Sequence, residues 1–457
     1  MMLKAYEEYQ KSALPWVKKI PSHWKWLRNG IILVSHKERV GDRFSDYQLL
    51  SLTTKGIKEK NIEDVSGKVP DSYEGYQKVY PGDMVFCLFD LDCSAVFSGL
   101  ADCNGMITSA YDVATPQENR VSSKYLNYWF DSVFAGRYYK IYSKSVRYTI
   151  NYDAFKTLKS PIPPKPEQDQ IVRYLDWKTS EMSRFVHQKK KQIKMLEELK
   201  CSKINELITK GIDNNIPMKD SGVDWIGQIP ENWQIDHIKQ HFTIKKRIAG
   251  EEGYPVLSIT QQGIREKDIA SNEGQMAQSY ANYQFVYPGD FAMNHMDLIT
   301  GYIDISNQFG VTSPDYRVFV LSDTEHCHAP FYLRVFQIGY KRRIFYKFGK
   351  GAANQGRWRL PKTAFNDFPI QVPPIEEQKE IEKKCLEIES KIDDMINGLR
   401  KEISLVEELK VKLIFDVVTG QVDVRNEVIQ VYEMDSDADE MDDEVDEELS
   451  GENIDEE

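Results

Sequence analysis

The stretches Pro163-Pro164-Lys165-Pro166-Glu167-Gln168 and Pro373-Pro374-Ile375-Glu376-Glu377-Gln378 decide the fold, because a long helical pattern follows each of them. Proline suits the first positions of a helix, where its missing N–H would be unpaired anyway. After the second stretch, apolar residues fall at 381, 385, 388, 392, 395, 399, 403, 406, 409, 413 and 417. The first helix carries a less regular series, Ile171, Leu175, Met182, Phe185, Ile193, Leu196, Leu199, Ile204 and Leu207. Spacings of three and four predict coiled-coil seams, which most simply bury each other.

The two stretches belong to an internal repeat that covers most of the chain. Ile20-Pro21-x-x-Trp24 recurs as Ile229-Pro230-x-x-Trp233, and Tyr80-Pro81-Gly82-Asp83 recurs as Tyr287-Pro288-Gly289-Asp290. Further matches keep the same order, with an offset that drifts only between 207 and 210 residues. A unit of about 210 residues therefore occurs twice.

The sequence pattern of each repeat changes once, from strand-like to helix-like, at its Pro-Pro pair. Before it, short β-branched and aromatic runs are broken by Gly, Pro, Asn and Asp, which predicts strands near 47–54, 84–89, 256–260 and 316–321. Helices are expected near 124–134 and 330–340. The predicted fold class is α+β: two homologous, strand-rich mixed α/β domains joined by two long antiparallel coiled-coil helices, with pseudo-two-fold symmetry.

The charge of the chain is concentrated at one end. The 457 residues carry a net charge of −12, but 15 acidic residues and no Lys or Arg lie between 433 and 457. Without this tail, 59 basic residues face 56 acidic ones, a net charge of +3 that is compatible with nucleic-acid binding. Six scattered cysteines, an acidic start and no long apolar run predict a reduced, cytoplasmic protein.

The usual signatures of a catalytic site are missing from the sequence. Neither Pro-Pro pair follows the Asn or Asp of an adenine-methyltransferase motif, and no phosphate loop or His-Glu-x-x-His occurs. His326-Cys327-His328 contains ligand types, but three adjacent residues cannot all face one ion, so we expect no metal site there. The sequence thus predicts a chain without catalytic residues or a bound cofactor.

Basic and aromatic residues alternate just before each long helix, a pattern that suits phosphate contact and base reading. Two polar turns, at equivalent places in the repeats, present different side chains. The alternative interpretation of the basic stretches is a solvated helix face with snorkelling stems. We favour DNA contact by Thr53, Thr54, Lys55, Lys140, Lys144, Arg147, Tyr148, Gln261, Gln262, Lys341, Arg342, Arg343, Lys350, Asn354, Gln355 and Arg357.

The order of these motifs resembles the specificity subunits of type I restriction–modification systems. The junction Asp220-Ser221-Gly222-Val223-Asp224-Trp225-Ile226-Gly227, the two Pro-Pro-x-x-Glu-Gln helix starts and the helix ends near Thr209 and Thr419 carry the resemblance, which runs from about residue 9 to 425. It implies target-recognition domains at 1–166 and 212–375, a central helix at 167–211 and a C-terminal helix at 376–419. Beyond the family pattern, we expect a terminal extension at 420–432 and, from its composition, an acidic disordered tail at 433–457.

The resemblance also implies what the chain does and with which partners. Each recognition domain would read one half of a bipartite site in double-stranded DNA, and the helices would set the gap and dock two methyltransferase subunits. Restriction subunits would join in the full complex, and S-adenosylmethionine, ATP and Mg²⁺ would belong to those partners. From the residues alone, two alternatives stay open: a protein-interaction scaffold with a coiled-coil spacer, and an enzyme with an unrecognised site.

Overall fold

The computed structural model describes residues 4–61, 72–143, 148–213, 215–269, 277–351 and 358–430. These residues form two compact units. The first unit combines the described residues of Met1–Val186 with those from Glu402 onward, and the second comprises those of His187–Lys401. Each unit therefore contains one repeat's strand-rich part together with segments of both long helices.

Among the described residues, the first repeat consists of short strands, three short α-helices and a long helix that continues into the second unit. Its strands are β1 (Tyr9–Lys11), β2 (Lys19–Pro21), β3 (Lys25–Arg28), β4 (Leu33–Ser35), β5 (Leu49–Thr53), β6 (Gly56–Lys60), β7 (Gln77–Val79), β8 (Met84–Phe86), β9 (Ser98–Leu100), β10 (Gly105–Ile107), β11 (Asp112–Pro116) and β12 (Lys159–Ile162). Its short helices are α1 (Asn29–Ile32), α2 (Ser123–Ala135) and α3 (Tyr152–Thr157), and α4 (Lys165–Lys210) is the long one.

The second unit repeats this order. Its strands are β13 (Met218–Asp220), β14 (Gln228–Pro230), β15 (Gln234–His237), β16 (Phe242–Lys245), β17 (Leu257–Thr260), β18 (Gly263–Glu266), β19 (Gln284–Val286), β20 (Phe291–Met293), β21 (Ile303–Ile305), β22 (Gly310–Thr312), β23 (Arg317–Leu321) and β24 (Pro369–Val372). Its short helices are α5 (Ile238–His241), α6 (Ala329–Lys341) and α7 (Lys362–Asn366), and the long helix is α8 (Ile375–Val418).

The sheets of the two units correspond strand by strand. The four-stranded order β4-β11-β8-β9 in the first unit recurs as β16-β23-β20-β21 in the second. The order β6-β5-β10-β7 recurs as the pairs β17-β18 and β19-β22, which a parallel bridge between Val256 and Val311 connects. Each unit has a large aromatic core, in which Trp24 and Phe86, or Trp233 and Phe291, are fully buried.

The Tyr-Pro-Gly-Asp repeat forms the same turn in both units. Gly82 and Gly289 have φ values of +91° and +90°, which glycine adopts without strain. The Asp83 carboxylate accepts a hydrogen bond from the Tyr80 amide at 2.8 Å, and in the second unit the equivalent distance is 2.9 Å. The turn leads directly into β8 and β20, the central strands of the equivalent sheets.

The glutamate of each Pro-Pro-x-x-Glu-Gln stretch binds the tryptophan of the Ile-Pro-x-x-Trp motif. Glu167, only 6% exposed, accepts hydrogen bonds from the indole N–H of Trp24 at 3.0 Å and from the Tyr6 hydroxyl at 2.6 Å. In the second unit the indole N–H of Trp233 donates to Glu377 at 2.9 Å. The two repeated motifs are therefore partners in one contact.

The glutamine of the same stretch fixes the segment that precedes α2 or α6. The fully buried side chain of Gln168 accepts from the Ser122 amide at 2.7 Å and donates to the Pro163 carbonyl at 2.8 Å. Gln378 repeats both bonds, with the His328 amide and the Pro373 carbonyl, each at 2.8 Å. We call the Glu and Gln contacts together the helix-base contacts.

Within each unit the long-helix segments run antiparallel. In the first unit Gln170 bonds the Val424 carbonyl and Ser183 accepts from Lys410 at 3.2 Å. In the second unit Lys200 pairs with Asp393 at 2.7 Å and Glu197 with Arg400 at 3.8 Å. Partner numbers fall on one helix as they rise on the other, so the expected antiparallel pairing holds within each unit.

The predicted seam is correct at most positions and wrong at four. Ile381, Cys385 and Ile392 are buried, as expected. The residues on predicted seam positions that face solvent instead are Phe185, Leu199, Met395 and Leu409. Ile396, 3% exposed, is buried in place of its neighbour Met395.

None of the helices in the described part of the chain combines the length and apolar character needed to cross a membrane.

Candidate nucleic-acid interface

The first polar turn joins β5 to β6. The Thr53 hydroxyl donates to the Gly56 carbonyl at 2.9 Å and accepts from the Lys55 amide at 3.1 Å, so this side chain closes the turn. Gly56 has a φ of +95°. Thr54 and Lys55, at the tip, are exposed.

The second unit builds the same turn between β17 and β18. The Thr260 hydroxyl donates to the Gly263 carbonyl at 3.0 Å and accepts from the Gln262 amide at 3.2 Å. Gln262 is exposed and Gln261 is half-buried. One scaffold thus presents Thr-Lys in the first unit and Gln-Gln in the second.

The basic stretch of the second unit lies at the end of α6. Lys341, Arg342 and Arg343 are exposed, and Arg343 takes a left-handed backbone conformation with a φ of +52°. Across the described residues, their charged groups form no hydrogen bond or ion pair with another side chain. The preceding residue, Tyr340, anchors them through its hydroxyl, which donates to the Asn294 carbonyl at 2.7 Å.

Lys350 lies on the short connection after this stretch. Its amide and carbonyl pair with those of Arg359, at 2.8 and 3.1 Å. Next to Arg359, the Trp358 ring stacks on Tyr346 with a centroid separation of 5.0 Å. The predicted contacts Asn354, Gln355 and Arg357 lie outside the described residues.

In the first unit, Lys140 and Tyr148 come together. The Lys140 ammonium lies 4.2 Å from the centroid of the Tyr148 ring, a cation–π contact, and Tyr148 has a positive φ of 44°. The guanidinium of Arg137 donates to the Ser94 carbonyl at 2.7 Å and so holds the loop that follows β8. Lys144 and Arg147 lie outside the described residues.

A loop that the sequence interpretation missed, residues 294–301, brings the predicted elements of the second unit together. The Gln261 side chain donates to the Thr300 carbonyl of this loop at 3.3 Å. The Leu298 amide donates to the Trp358 carbonyl at 3.1 Å. The polar turn, the loop and the segment around Trp358 therefore share one surface. The sequence signal for the loop is that Asp90-Leu91 recurs as Asp297-Leu298.

The same connection exists in the first unit. The Leu91 amide bonds the Tyr148 carbonyl at 3.4 Å, and the Ile150 amide bonds the Leu88 carbonyl at 2.8 Å. The second-unit equivalent of the latter bond runs from the Leu360 amide to the His295 carbonyl at 3.0 Å. Both units therefore fasten the segment before the long helix to the loop after the central strand.

Beneath this surface in the second unit lies a buried arginine. Arg317, 5% exposed, donates to the Leu360 carbonyl at 2.9 Å and stacks on Phe365 at 4.6 Å. Burial lowers the pKa of Arg317 to about 10. Burial, reinforced by the charges of Arg317 and Arg359, lowers the pKa of His295 to about 3. His295 is therefore neutral at physiological pH, and the positive charge beneath the surface comes from arginine.

Comparison with known proteins gives matches of three kinds. Residues 230–405 match the family model described as the type I restriction modification DNA specificity domain. The MjaX specificity subunit of Methanocaldococcus jannaschii, named as a type I restriction enzyme subunit, is 24% identical over 459 residues, covering 93% of this chain and 99% of that protein. The MjaVIII specificity subunit of the same organism is 24% identical over 289 residues, covering 60% of this chain and 64% of that protein.

A solved structure shows a similar fold. It is described as giving the basis of complex assembly and conformational transition of the type I restriction–modification system, and one of its chains superposes with a TM-score of 0.57. The sequences are 12% identical, and the superposition covers 88% of this chain and 100% of that one. These matches confirm the family resemblance and the fold class that the sequence predicts.

We predict that His295→Leu, which copies Leu88 of the first unit, makes the chain more resistant to acid. Because the folded state keeps His295 neutral, the wild type loses stability as the unfolded chain takes up a proton, from pH 6.5 toward pH 3. The variant has no histidine at this position, so its stability does not fall for this reason. Urea unfolding at a series of pH values measures it, and parallel decline of the two proteins between pH 6.5 and 4 would contradict the assignment.

Proposed function

We propose that the chain is a specificity subunit of a type I restriction–modification system, which its matches support, and that it reads a bipartite target in double-stranded DNA, one half with each unit. Like its family it is a non-catalytic subunit. In the proposed cytoplasmic complex it binds two methyltransferase subunits, and restriction subunits join the full assembly. S-adenosylmethionine, ATP and Mg²⁺ belong to those partners.

One observation carries the proposal of two readers: an identical turn, closed by Thr53 or Thr260, presents different side chains in the two units. Gln pairs bidentately with adenine and Lys with guanine or phosphate, so the two tips suit different half-sites. Lys341, Arg342 and Arg343, exposed at the end of α6, suit phosphate contact. The scaffold is constant, and the side chains that meet the bases differ.

The long helices support a role in spacing. α4 has 46 residues and α8 has 44, which corresponds to about 65–70 Å at 1.5 Å per residue. That is about two turns of B-DNA, whose pitch is about 34 Å. Both helices contribute segments to both units, so we propose that their length fixes the gap between the half-sites.

Exposed apolar residues support docking of two methyltransferase subunits. Met195 and Leu199 on α4 are 55% and 46% exposed, and Leu405 and Leu409 on α8 are 56% and 51% exposed. Each pair is spaced i, i+4 and so lies on one helix face, and the two pairs are related by the repeat offset of 210 residues. Exposed apolar side chains at equivalent positions suit two copies of one partner.

The experiment that tests the function selects duplexes from a random DNA pool with the chain and its co-expressed methyltransferase subunit. We expect two short motifs at a fixed gap. Inserting one heptad into both helices, near residues 190 and 400, should lengthen the gap by about three base pairs, since seven residues add about 10 Å. One uninterrupted motif would refute the two readers. Co-purification without any enriched sequence would favour the protein-interaction scaffold.

We predict that Lys341→Ala/Arg342→Ala weakens binding to all sequences alike. Each lost phosphate contact should flatten the slope of log affinity against log salt by about 1. The matched control is Lys203→Ala/Lys379→Ala, which removes two lysines that are paired with Glu206 and Glu376 on helix surfaces. Equal slopes for the two variants in fluorescence-anisotropy titrations would exclude the α6 end from the DNA surface.

We predict that Met195→Glu/Leu199→Glu abolishes one methyltransferase position and that Leu405→Glu/Leu409→Glu abolishes the other. A carboxylate in an apolar contact loses its hydration without gaining a partner. Native mass spectrometry should show one methyltransferase subunit per chain for each double variant, and two for the control Val428→Glu, an 82% exposed site. Two bound subunits in every variant would place the docking surface elsewhere.

A further inference from the structure

A cluster of metal-ligating side chains lies in the second unit, away from the proposed DNA surface. His241 ends α5, and Asp323 and Cys327 lie on the connection between β23 and α6. One ligand atom from each of the three residues lies within 4.8 Å of the other two. His241 and Cys327 are buried, with 6% and 3% exposure.

The two ring nitrogens of His241 have different surroundings. Nε2 lies 2.9 Å from a carboxylate oxygen of Asp236, and Nδ1 lies 2.9 Å from a carboxylate oxygen of Asp323. A neutral imidazole donates only one hydrogen bond. If Nε2–H donates to Asp236, the Nδ1 lone pair points toward Asp323 and Cys327, an arrangement that a cation between them satisfies. Metal-bound histidines characteristically donate their other N–H to a carboxylate in this way.

The first unit has apolar residues at the places of His241 and Cys327, and an acidic residue, Glu118, at the place of Asp323. The Ser322 amide bonds the His241 carbonyl, and the Gln117 amide bonds the Ile32 carbonyl, which makes Ile32 the counterpart of His241. Gln378 holds His328 and Gln168 holds Ser122, so these two residues are equivalent. The residues that precede them, Cys327 and the buried Val121, are therefore counterparts.

Asp236, which bonds His241, also has an apolar counterpart in the first unit. Asp236 is the third residue of β15, and Leu27 is the third residue of the equivalent strand β3. Leu27, Ile32 and Val121 of one copy are therefore Asp236, His241 and Cys327 in the other, while the acidic position is kept as Glu118 or Asp323. Drift at independent positions would not produce three residue types that belong to one kind of site.

We propose that His241 Nδ1, Asp323 and Cys327 Sγ bind a structural zinc ion, with His326 as the fourth ligand. His326 Nδ1 lies 3.0 Å from the second carboxylate oxygen of Asp323, at the exposed side of the cluster. A thiolate, two imidazoles and a carboxylate form a tetrahedral zinc set, and the softness of sulfur disfavours Mg²⁺ and Ca²⁺. Asp236 orients His241 and does not bind the ion.

The ion would stabilise the junction of the second domain with its long helix. The Gln378 side chain donates to the His326 carbonyl at 2.7 Å and accepts from the His328 amide at 2.8 Å. Two ligands of the site thus lie on the segment that the helix-base contacts of α8 hold. The inference is independent of DNA reading, because it concerns how the second unit is held together.

The test measures zinc in the full chain, expressed with zinc and dialysed against metal-free buffer. We expect one zinc per chain in the wild type and in Cys87→Val, which changes a buried cysteine of the first unit, and none in Cys327→Val. Cobalt substitution should give the visible bands of a tetrahedral ion and a thiolate charge-transfer band that Cys327→Val lacks. His241→Ile/Cys327→Val, which copies the first-unit core, should fold without metal.

Three results would overturn the site. These are a wild type without zinc, zinc that survives in Cys327→Val, and a cobalt spectrum without the thiolate band. Circular dichroism of the double variant separates loss of the ion from loss of the fold.

Discussion

The structure depends on two contacts: the buried carboxylate of Glu167 with the indole N–H of Trp24, and the half-buried carboxylate of its counterpart Glu377 with that of Trp233. A buried carboxylate without donors would cost several kcal/mol, so the helix can begin only where its glutamate reaches the tryptophan. The adjacent glutamine then uses both ends of its amide to hold the segment before α2 or α6. In each domain the side chains of Glu, Trp and Gln thereby fix where a helix of more than 40 residues begins.

The same logic explains how much of the fold the sequence predicts. Motifs that repeat place both helix starts correctly, because their residues bind each other and must recur together. The seam is less predictable. At Met395 and Ile396 two apolar residues are adjacent, and a spacing of three or four does not determine which of them faces the partner helix. At Leu409 the apolar residue lies on the outer face, which fits a docking surface and not a seam.

The candidate surface is predictable only in part, because some of its contacts join residues that are far apart in the sequence. The turn tips and basic stretches are local patterns. The loop at 294–301 joins Gln261 to Trp358 through backbone carbonyls, which leave no mark in the sequence. Arg317 and His295 lie on different elements, and His241 meets Asp323 across 82 residues. The expectation at 326–328 considered adjacent positions alone, whereas the structure places Cys327 near His241, which lies on α5.

The consequence of a difference between the two copies depends on whether it lies at a helix base, at an exposed turn or in the interior of the fold. The Glu–Trp bond and the two Gln bonds among the helix-base contacts are the same in both, since a change there would displace a helix. Thr54-Lys55 and Gln261-Gln262 differ at an exposed tip, where a substitution costs the fold almost nothing and changes what the tip can bind. Ile32 and His241 differ inside the fold, where a polar group needs partners. A difference of that kind persists only if neighbouring residues change with it, and Asp236 and Cys327 are the neighbours that differ from the first copy.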